Sequence, residues 1–349
     1  MPDSQLHEIV GVIHIHSSYS DGTKSIEEIA AIGECAGLDF LMFSDHMTLQ
    51  PLRDGHNRFY GKVAAIIGYE IEDSRNENHF LAFGIDQELP AGLPATQYVT
   101  EVQRLGGLGI IAHPDEIRNA IPRYPSYPWT AWEAQGFHAI EVWNHMSAWM
   151  ELLRRINVIK LIFTPRSGLR GPTDRILKKW DELAHTRPIA GIGSADVHAH
   201  AYRKGPLKMT IFPYKIQFRS IRTHLILPDR FADSIGEAQG QILDAIRCCR
   251  VFISNFRWGD ARGFRFYARS ENNIAYMGGS LDLSDDLEIF MTAPHAAEIR
   301  LIVNGIRAST SFSDRLQIPV QCPGIYRVEL LKNGRGWVYS NHIRIFPKR

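Results

Sequence analysis

Over its first two hundred residues the chain alternates short apolar, β-rich runs with helical patterns, and metal-capable side chains recur where the apolar runs end. EIVGVIHIH, LDFLMFSDH, KVAAIIGYEIE, HFLAFGI, LGIIAHP, FHAIEVWNH and PIAGIGSADVH read as strands. SIEEIAAIGECAG, QYVTEVQRL and DRILKKWDELAH read as helices. Ser25 and Glu28 stand at capping-box spacing, and Gly37 and Gly106-Gly107 mark helix ends. Strands separated by helices predict right-handed βαβ units and a largely parallel sheet, open or closed into a barrel. Such folds carry their chemistry at the carboxyl ends of the strands. His14/His16, Asp45-His46, Glu70, His113, Glu141 and Asp196/His198 fall at those positions.

Near residue 259 the texture changes to short alternating strands without a helical pattern. Asn304-Gly305 and Asn333-Gly334 are hairpin turn signals between apolar runs. This tail predicts a small antiparallel β-sandwich of roughly 90 residues.

Composition narrows the function classes. With 349 residues, 44% apolar and 22% charged, the chain is long enough for more than one domain of a globular protein. A formal net charge of +1 gives no electrostatic case for nucleic acid. A secretory signal is not evident at the start, and no apolar run approaches the roughly 20 residues that span a bilayer. Cys35, Cys248, Cys249 and Cys322 form no CxxC pair, so a reduced, cytoplasmic protein is expected. A P-loop, a GxSxG elbow and a complete GxGxxG are all missing, which argues against NTP, serine-nucleophile and dinucleotide chemistry.

Histidine is the unusual residue, at 15 copies. In a regular strand residues i and i+2 share a face, so His14 and His16 could converge on one cation. Neutral imidazole and carboxylate are the ligands of Zn, Mn and Fe. Asp45 could orient a ligand or water, or simply close a strand end. Glu141 and His145 could line a site or serve a structural hydrogen bond. Arg166, Arg170, Arg203 and Lys204 lie in loops where a phosphate-binding cation could sit.

Taken in order, HIHSSYSDG, FSDH, EIE, AHP and GSADVH resemble the motif series of the polymerase and histidinol phosphatase (PHP) superfamily of metal-dependent phosphoesterases. The resemblance covers about residues 7 to 258. It implies a distorted, TIM-like (β/α)7 barrel over residues 1–258, with two or three divalent ions (Zn, Mn or Fe) at its carboxyl face. ILDAIRCCRVFISN, GDARGFRF and PGIYRVELLKNGRGWVYSN resemble the carbaryl hydrolase-like branch, in which an immunoglobulin-like β-sandwich follows, here at 259–349.

Carried over by position, the resemblance implies that His14, His16 and Asp196 hold a first metal. Glu70 bridges it to a second completed by His79 and His113, and Asp21, His46 and His198 hold a third. Where many three-metal relatives have a histidine after the first motif, this chain has Asp21-Gly22. His198 fits the D-x-H spacing, leaving His200 peripheral. Glu70, Asp196 and Asp45 are the expected catalytic carboxylates. The implied activity is hydrolysis of a small-molecule phosphoester by a metal-bridging hydroxide. Ester, carbamate or amide hydrolysis is the alternative, and a non-catalytic, metal-stabilised binding module is a third reading. Substrate, native metal and oligomeric state are left open by the residues.

Overall fold

The computed structural model describes residues 6–118, 125–154, 156–204 and 207–348, with backbone alone for 202–204 and 207–209. The first part of the chain runs β1 (His7–Ile15), α1 (Ile26–Cys35), β2 (Phe40–His46), α2 (Gln50–Arg53), β3 (Arg58–Tyr60), β4 (Val63–Glu72), β5 (His79–Phe83) and α3 (Ala95–Arg104). It continues through β6 (Leu108–Ile111), β7 (Ala139–Asn144), α4 (His145–Leu152), α5 (Val158–Phe163), α6 (Asp174–Thr186) and β8 (Ala190–Ser194). A hairpin of β9 (Ala201–Lys204) and β10 (Leu207–Thr210) precedes α7 (Tyr214–Gln217), β11 (Ile221–Leu227), α8 (Ile235–Arg247) and β12 (Val251–Asn255). The remaining strands are β13 (Arg265–Arg269), β14 (Ile274–Tyr276), β15 (Ser280–Asp282), β16 (Glu288–Val303), β17 (Ile306–Pro319), β18 (Gly324–Lys332), β19 (Arg335–Ser340) and β20 (Ile343–Phe346).

All but the β9/β10 hairpin join one mixed sheet of 18 strands. β1 lies parallel to β2 and antiparallel to β11. Outward from β2 the sheet runs through β4, β5, β6, β7 and β8. The β4–β5 and β5–β6 pairs are antiparallel, so the sheet is less uniformly parallel than expected.

The expected closed barrel is not what the ladders form: the sheet is open. β11 occupies the edge of β1 along His7–Gly11, so β8 has no ladder there. The chain after β8 meets β1 only at its far end, through an isolated bridge between Ile15 and Val197. Ala195 N donates to Ile13 O at 3.0 Å and His16 N to Val197 O at 3.1 Å. These bonds bring the carboxyl ends of β1 and β8 side by side.

Alternating side chains fill two layers. Val10 and Val12 pack with Leu41 and with Ile26 and Ile29 of α1, which Ser25 and Glu28 start with a reciprocal capping box. Ile9 and Ile13 face the other layer with Met42, Ile66 and Leu81. Ile15 breaks the alternation by rejoining the α1 layer. The cause is a bulge at His14, where the β1–β2 register slips and the backbone turns left-handed at φ 67°.

The late strands carry their own core around Phe266, Ile289, Val328 and Trp337. Both Asn-Gly pairs form hairpin turns with positive φ at each residue (52° and 78°; 52° and 68°), as type I′ turns require. A buried ion network joins these strands to α6. Arg327 grips Asp181 with two bonds of 2.7 and 2.8 Å, and also binds Glu329 at 2.6 Å. His342 lies 2.7 Å from the same aspartate. No helix among the described residues is long and apolar enough to cross a membrane.

Candidate metal centre

Regular alternation would have sent His14 and His16 to the α1-covered layer with Val10 and Val12. The bulge at His14 redirects both into the space at the strand ends, where their rings lie 5.1 Å apart. The two histidines therefore meet by a different device from the i, i+2 periodicity expected. His113 and Asp196 also have left-handed backbones, at φ 29° and 53°. Strain of this kind is uncommon outside glycine and collects at functional sites.

Glu70, 1% exposed, is the hub. Its Oε2 lies 3.0 Å from His14 Nε2, 3.3 Å from His16 Nε2 and 3.5 Å from His46 Nδ1. Its Oε1 lies 2.8 Å from His79 Nδ1 and 3.4 Å from His113 Nε2. One carboxylate thus divides five imidazoles into two sets. Asp196 Oδ1 sits 3.6 Å from His14 Nε2 and 3.7 Å from His16 Nε2. Asp21 Oδ1 lies 3.3 Å from His198 Nε2 and 3.8 Å from both His46 Nε2 and His16 Nδ1. Three groups of donor atoms are close enough to share an ion: His14, His16 and Glu70; Glu70, His79 and His113; and His16, Asp21, His46 and His198.

Burial, then the neighbouring His198 and His46, drives the His16 pKa well below that of an ordinary imidazole, keeping it neutral. Burial also works against charge on His14, but Glu70, Glu141 and Asp196 outweigh it and hold that pKa well above the ordinary value. His46 and His113 are likewise moved, against burial, to about 9, mainly by acidic neighbours led by Glu70. The carboxyl of Glu70, despite burial, is held well below the usual range by His14, His46 and His79. Such a set of ionised carboxylates and buried imidazoles is matched to a cation.

The sharpest sign of fit is His16. It is fully buried, yet neither ring nitrogen has a hydrogen-bond partner among the described residues. Buried polar atoms are rarely left so. Nitrogen and carboxylate donors of this kind suit a borderline divalent cation.

The surrounding shell fixes these donors. Glu141 Oε1 lies 2.7 Å from His14 Nδ1, while its Oε2 accepts from His113 N at 2.7 Å and Asn144 Nδ2 at 2.8 Å. Asp45 does not face an imidazole. Its carboxylate accepts from Ser17 N, Ser17 Oγ and Ser20 Oγ at 2.8, 2.7 and 2.7 Å, clamping the turn that delivers Asp21. Gly22 is required in that turn, because a Cβ there would clash with the His16 carbonyl oxygen. Ser25 caps α1, which leaves Asp21 free of that duty.

A cleft of about 970 Å³ opens onto Asp21, His46, Glu70, His79, His113 and Asp196. His200 lines it, stacked 4.9 Å from His198. His145 is buried behind it against Phe212. Arg166 donates to the Arg219 carbonyl, and neither it nor Arg170 lines the cleft. The side chains of Arg203 and Lys204 lie outside the described residues. Arg118, which no sequence motif singled out, lines the cleft, and so does Tyr127 of AIPRYPSYPWTAW, a Pro/aromatic stretch that reads first as packed covering but could line a pocket. Arg118 stands two residues before that stretch.

A second polar chain, Glu8–His224–Ser254, has hydrogen bonds of 2.8 and 2.7 Å in a nucleophile–base–acid order. All three side chains are buried in the sheet and none lines the cleft, so this chain is structural.

Several solved structures are similar to this chain. A two-domain protein from Bacteroides vulgatus, containing a predicted PHP-like metal-dependent phosphoesterase, is 12% identical over 97% of this chain and 96% of its own, with a TM-score of 0.45. A candidate metal-dependent phosphoesterase from Bifidobacterium adolescentis is 14% identical over 59% of this chain and 94% of its own, with a TM-score of 0.32. An amidohydrolase from Chromobacterium violaceum, with bound sulfate and no metal, is 13% identical over 58% of this chain and 92% of its own, with a TM-score of 0.33. No family model and no curated protein sequence matches the chain.

Proposed function

We propose that this protein is a metal-dependent hydrolase, with residues 1–258 as a PHP-type catalytic unit and 259–349 as a β-sandwich packed on it. The observation that carries the reading is the single buried Glu70, whose two oxygens face separate sets of histidines. In this reading His14, His16 and Asp196 hold one ion, Glu70 spans to a second held by His79 and His113, and Asp21, His46 and His198 hold a third. Bound there, divalent cations supply a water acidified towards neutrality and take up charge from the substrate's oxygens.

The chain's own residues do the rest. Glu141 fixes the His14 ring through Nδ1, so Nε2 is presented to the centre. Asn76 Oδ1, 2.8 Å from His79 Nε2, does the same for the opposite side, where Nδ1 is presented. Asp45 is a positioning residue that holds the Ser17–Ser20 turn and so places Asp21, whose half-exposed carboxylate stands at the cleft mouth. Glu72, 2.7 Å from His46 Nδ1, sets that ring with Nε2 towards Asp21.

A phosphoester is the leading substrate class, since the cleft joins this centre to a guanidinium, that of Arg118. Hydrolysis of a carboxyl ester, carbamate or amide uses the same donors. A purely structural metal site would not need an open cleft reaching Glu70. The test is a screen of phosphomonoesters, phosphodiesters, aryl esters and carbamates with Mn, Zn and Fe, before and after exhaustive chelation. Turnover that disappears on chelation and returns with metal is expected. Turnover indifferent to chelation overturns the proposal.

A further inference from the structure

The cleft lining divides sharply by chemistry. Beside the histidine–carboxylate cluster lies an apolar group: Met146, Trp149 and Met150 of α4, with Ile211 and Phe212 of the segment after β10. These belong to a small core of their own, separate from the cores around the sheet. Trp149 is fixed at both ends of its ring. Its Nε1 donates to Leu161 O at 3.1 Å, and the Phe212 ring meets it edge-on at 4.5 Å. The two methionines beside it are unbranched and adaptable.

A charged group is held within the same lining. Glu116, 3% exposed, lies 2.6 Å from Arg118 Nη2 and accepts from Ser147 Oγ at 2.8 Å, tying the guanidinium to α4. Arg118 lies over the Tyr127 ring at 5.4 Å, and that ring also stacks on His79 at 4.9 Å. Arg118 Nε has no hydrogen-bond partner among the described residues. A guanidinium offers five donors, and Glu116 engages one nitrogen.

We infer that the cleft takes an amphiphilic small molecule, one that carries an anionic oxygen group beside an aryl or branched apolar group. Arg118 receives the anion next to the metal-type donors, and the Met146–Trp149–Met150–Phe212 wall receives the apolar part. Those four side chains are only 2–7% exposed, so with half-buried Ile211 they show the cleft a narrow apolar strip, which an aryl group covers and a sugar phosphate or short polar ester leaves against water. The inference rests on the hydrolase reading for which bond is cut, but it makes a separate claim about what is bound.

The test uses phenylphosphonate and methylphosphonate, which share an anionic head and differ in the apolar part. Their dissociation constants are measured by calorimetry on the full-length, metal-reconstituted protein. Phenylphosphonate should bind at least about ten-fold more tightly. Met150→Gln, similar in length but polar, should erase most of that ratio while leaving methylphosphonate binding in place. Arg118→Gln should weaken both ligands by about ten-fold and keep the ratio. Melting curves confirm that each variant folds, and the wild-type ratio is decisive even if one does not. Equal affinity for the two phosphonates, or a ratio that Met150→Gln leaves untouched, overturns the inference. Absence of turnover on every ester, with the ratio intact, would count against the hydrolase reading alone.

Discussion

Glu141→Gln should weaken metal binding without altering any atom proposed to touch the metal. Both Glu141 oxygens are committed to N–H groups: Oε1 to His14 Nδ1 at 2.7 Å, Oε2 to His113 N and Asn144 Nδ2 at 2.7 and 2.8 Å. A glutamine of the same shape keeps only one acceptor. Placed with its oxygen towards His113 and Asn144, it turns an NH2 group onto His14 Nδ1. For His14 to offer Nε2 as a ligand, Nδ1 must carry the proton, so donor would then face donor. Flipping the amide moves the same conflict to the His113 and Asn144 donors. Losing one such buried bond costs roughly 1–3 kcal/mol. At about 1.4 kcal/mol per decade, that is about 5–150-fold in affinity, which brackets the roughly 10–100-fold usual for a group that orients a metal ligand. Competition against a chromophoric chelator measures the affinity, and circular dichroism verifies the fold. A folded variant with unchanged affinity would refute the claim that Glu141 sets the His14 ring.

Other perturbations probe separate parts of the account. Glu70→Gln removes the charge that faces both histidine sets and should strip most bound metal and nearly all turnover, read by metal analysis and rate assay. Asp21→Ala should lower metal content by about one ion per chain and spare the other two, with little change in melting temperature because Ser25, not Asp21, caps α1. His342 is pulled by burial from 6.5 to about 4, against the pull of Asp181. The folded state therefore favours its neutral form, and stability should fall as pH drops from about 6.5 towards 4, where the unfolded chain takes up the proton first. Urea midpoints across that interval should show the decline, and His342→Gln should flatten it.

Much of this was legible in the chain because local chemistry and tertiary placement agree. The strand-end positions of His14, His16, His46, Glu70, His113 and Asp196 follow from apolar runs that stop where polar residues begin. The capping box at Ser25 and the two Asn-Gly turns are short-range signals, and all three appear as expected. What was hidden depends on pairing between distant segments. A bulge at His14 has no signature in HIHSS, because it arises where β1 leaves its register with β2 and turns towards Val197. The open sheet reflects β11 taking the edge of β1, a pairing with residues that come more than two hundred positions later, as in Gly11 with Thr223. For Asp45 the sequence leaves open a role orienting a ligand or water and a role closing a strand end, because the partners its carboxylate meets, Ser17 and Ser20, lie 28 and 25 positions earlier in the chain. Glu141 is ambiguous in the sequence because the partners that define its role include His14, 127 positions away, and His113, 28 positions away. Arg118 has no periodic pattern in the sequence to place it, and the Pro/aromatic stretch holding Tyr127 is as compatible with packed covering as with a cleft lining.

On the proposed function, the Glu70-centred cluster is a multinuclear metal centre. The most direct measurement is elemental analysis of the purified, folded protein after reconstitution with Mn or Zn and desalting, beside Glu70→Gln treated identically. The wild type should hold about two or more ions tightly per chain, and the variant should lose most of them. Less than one ion per folded wild-type chain, or equal content in the two proteins, would contradict it.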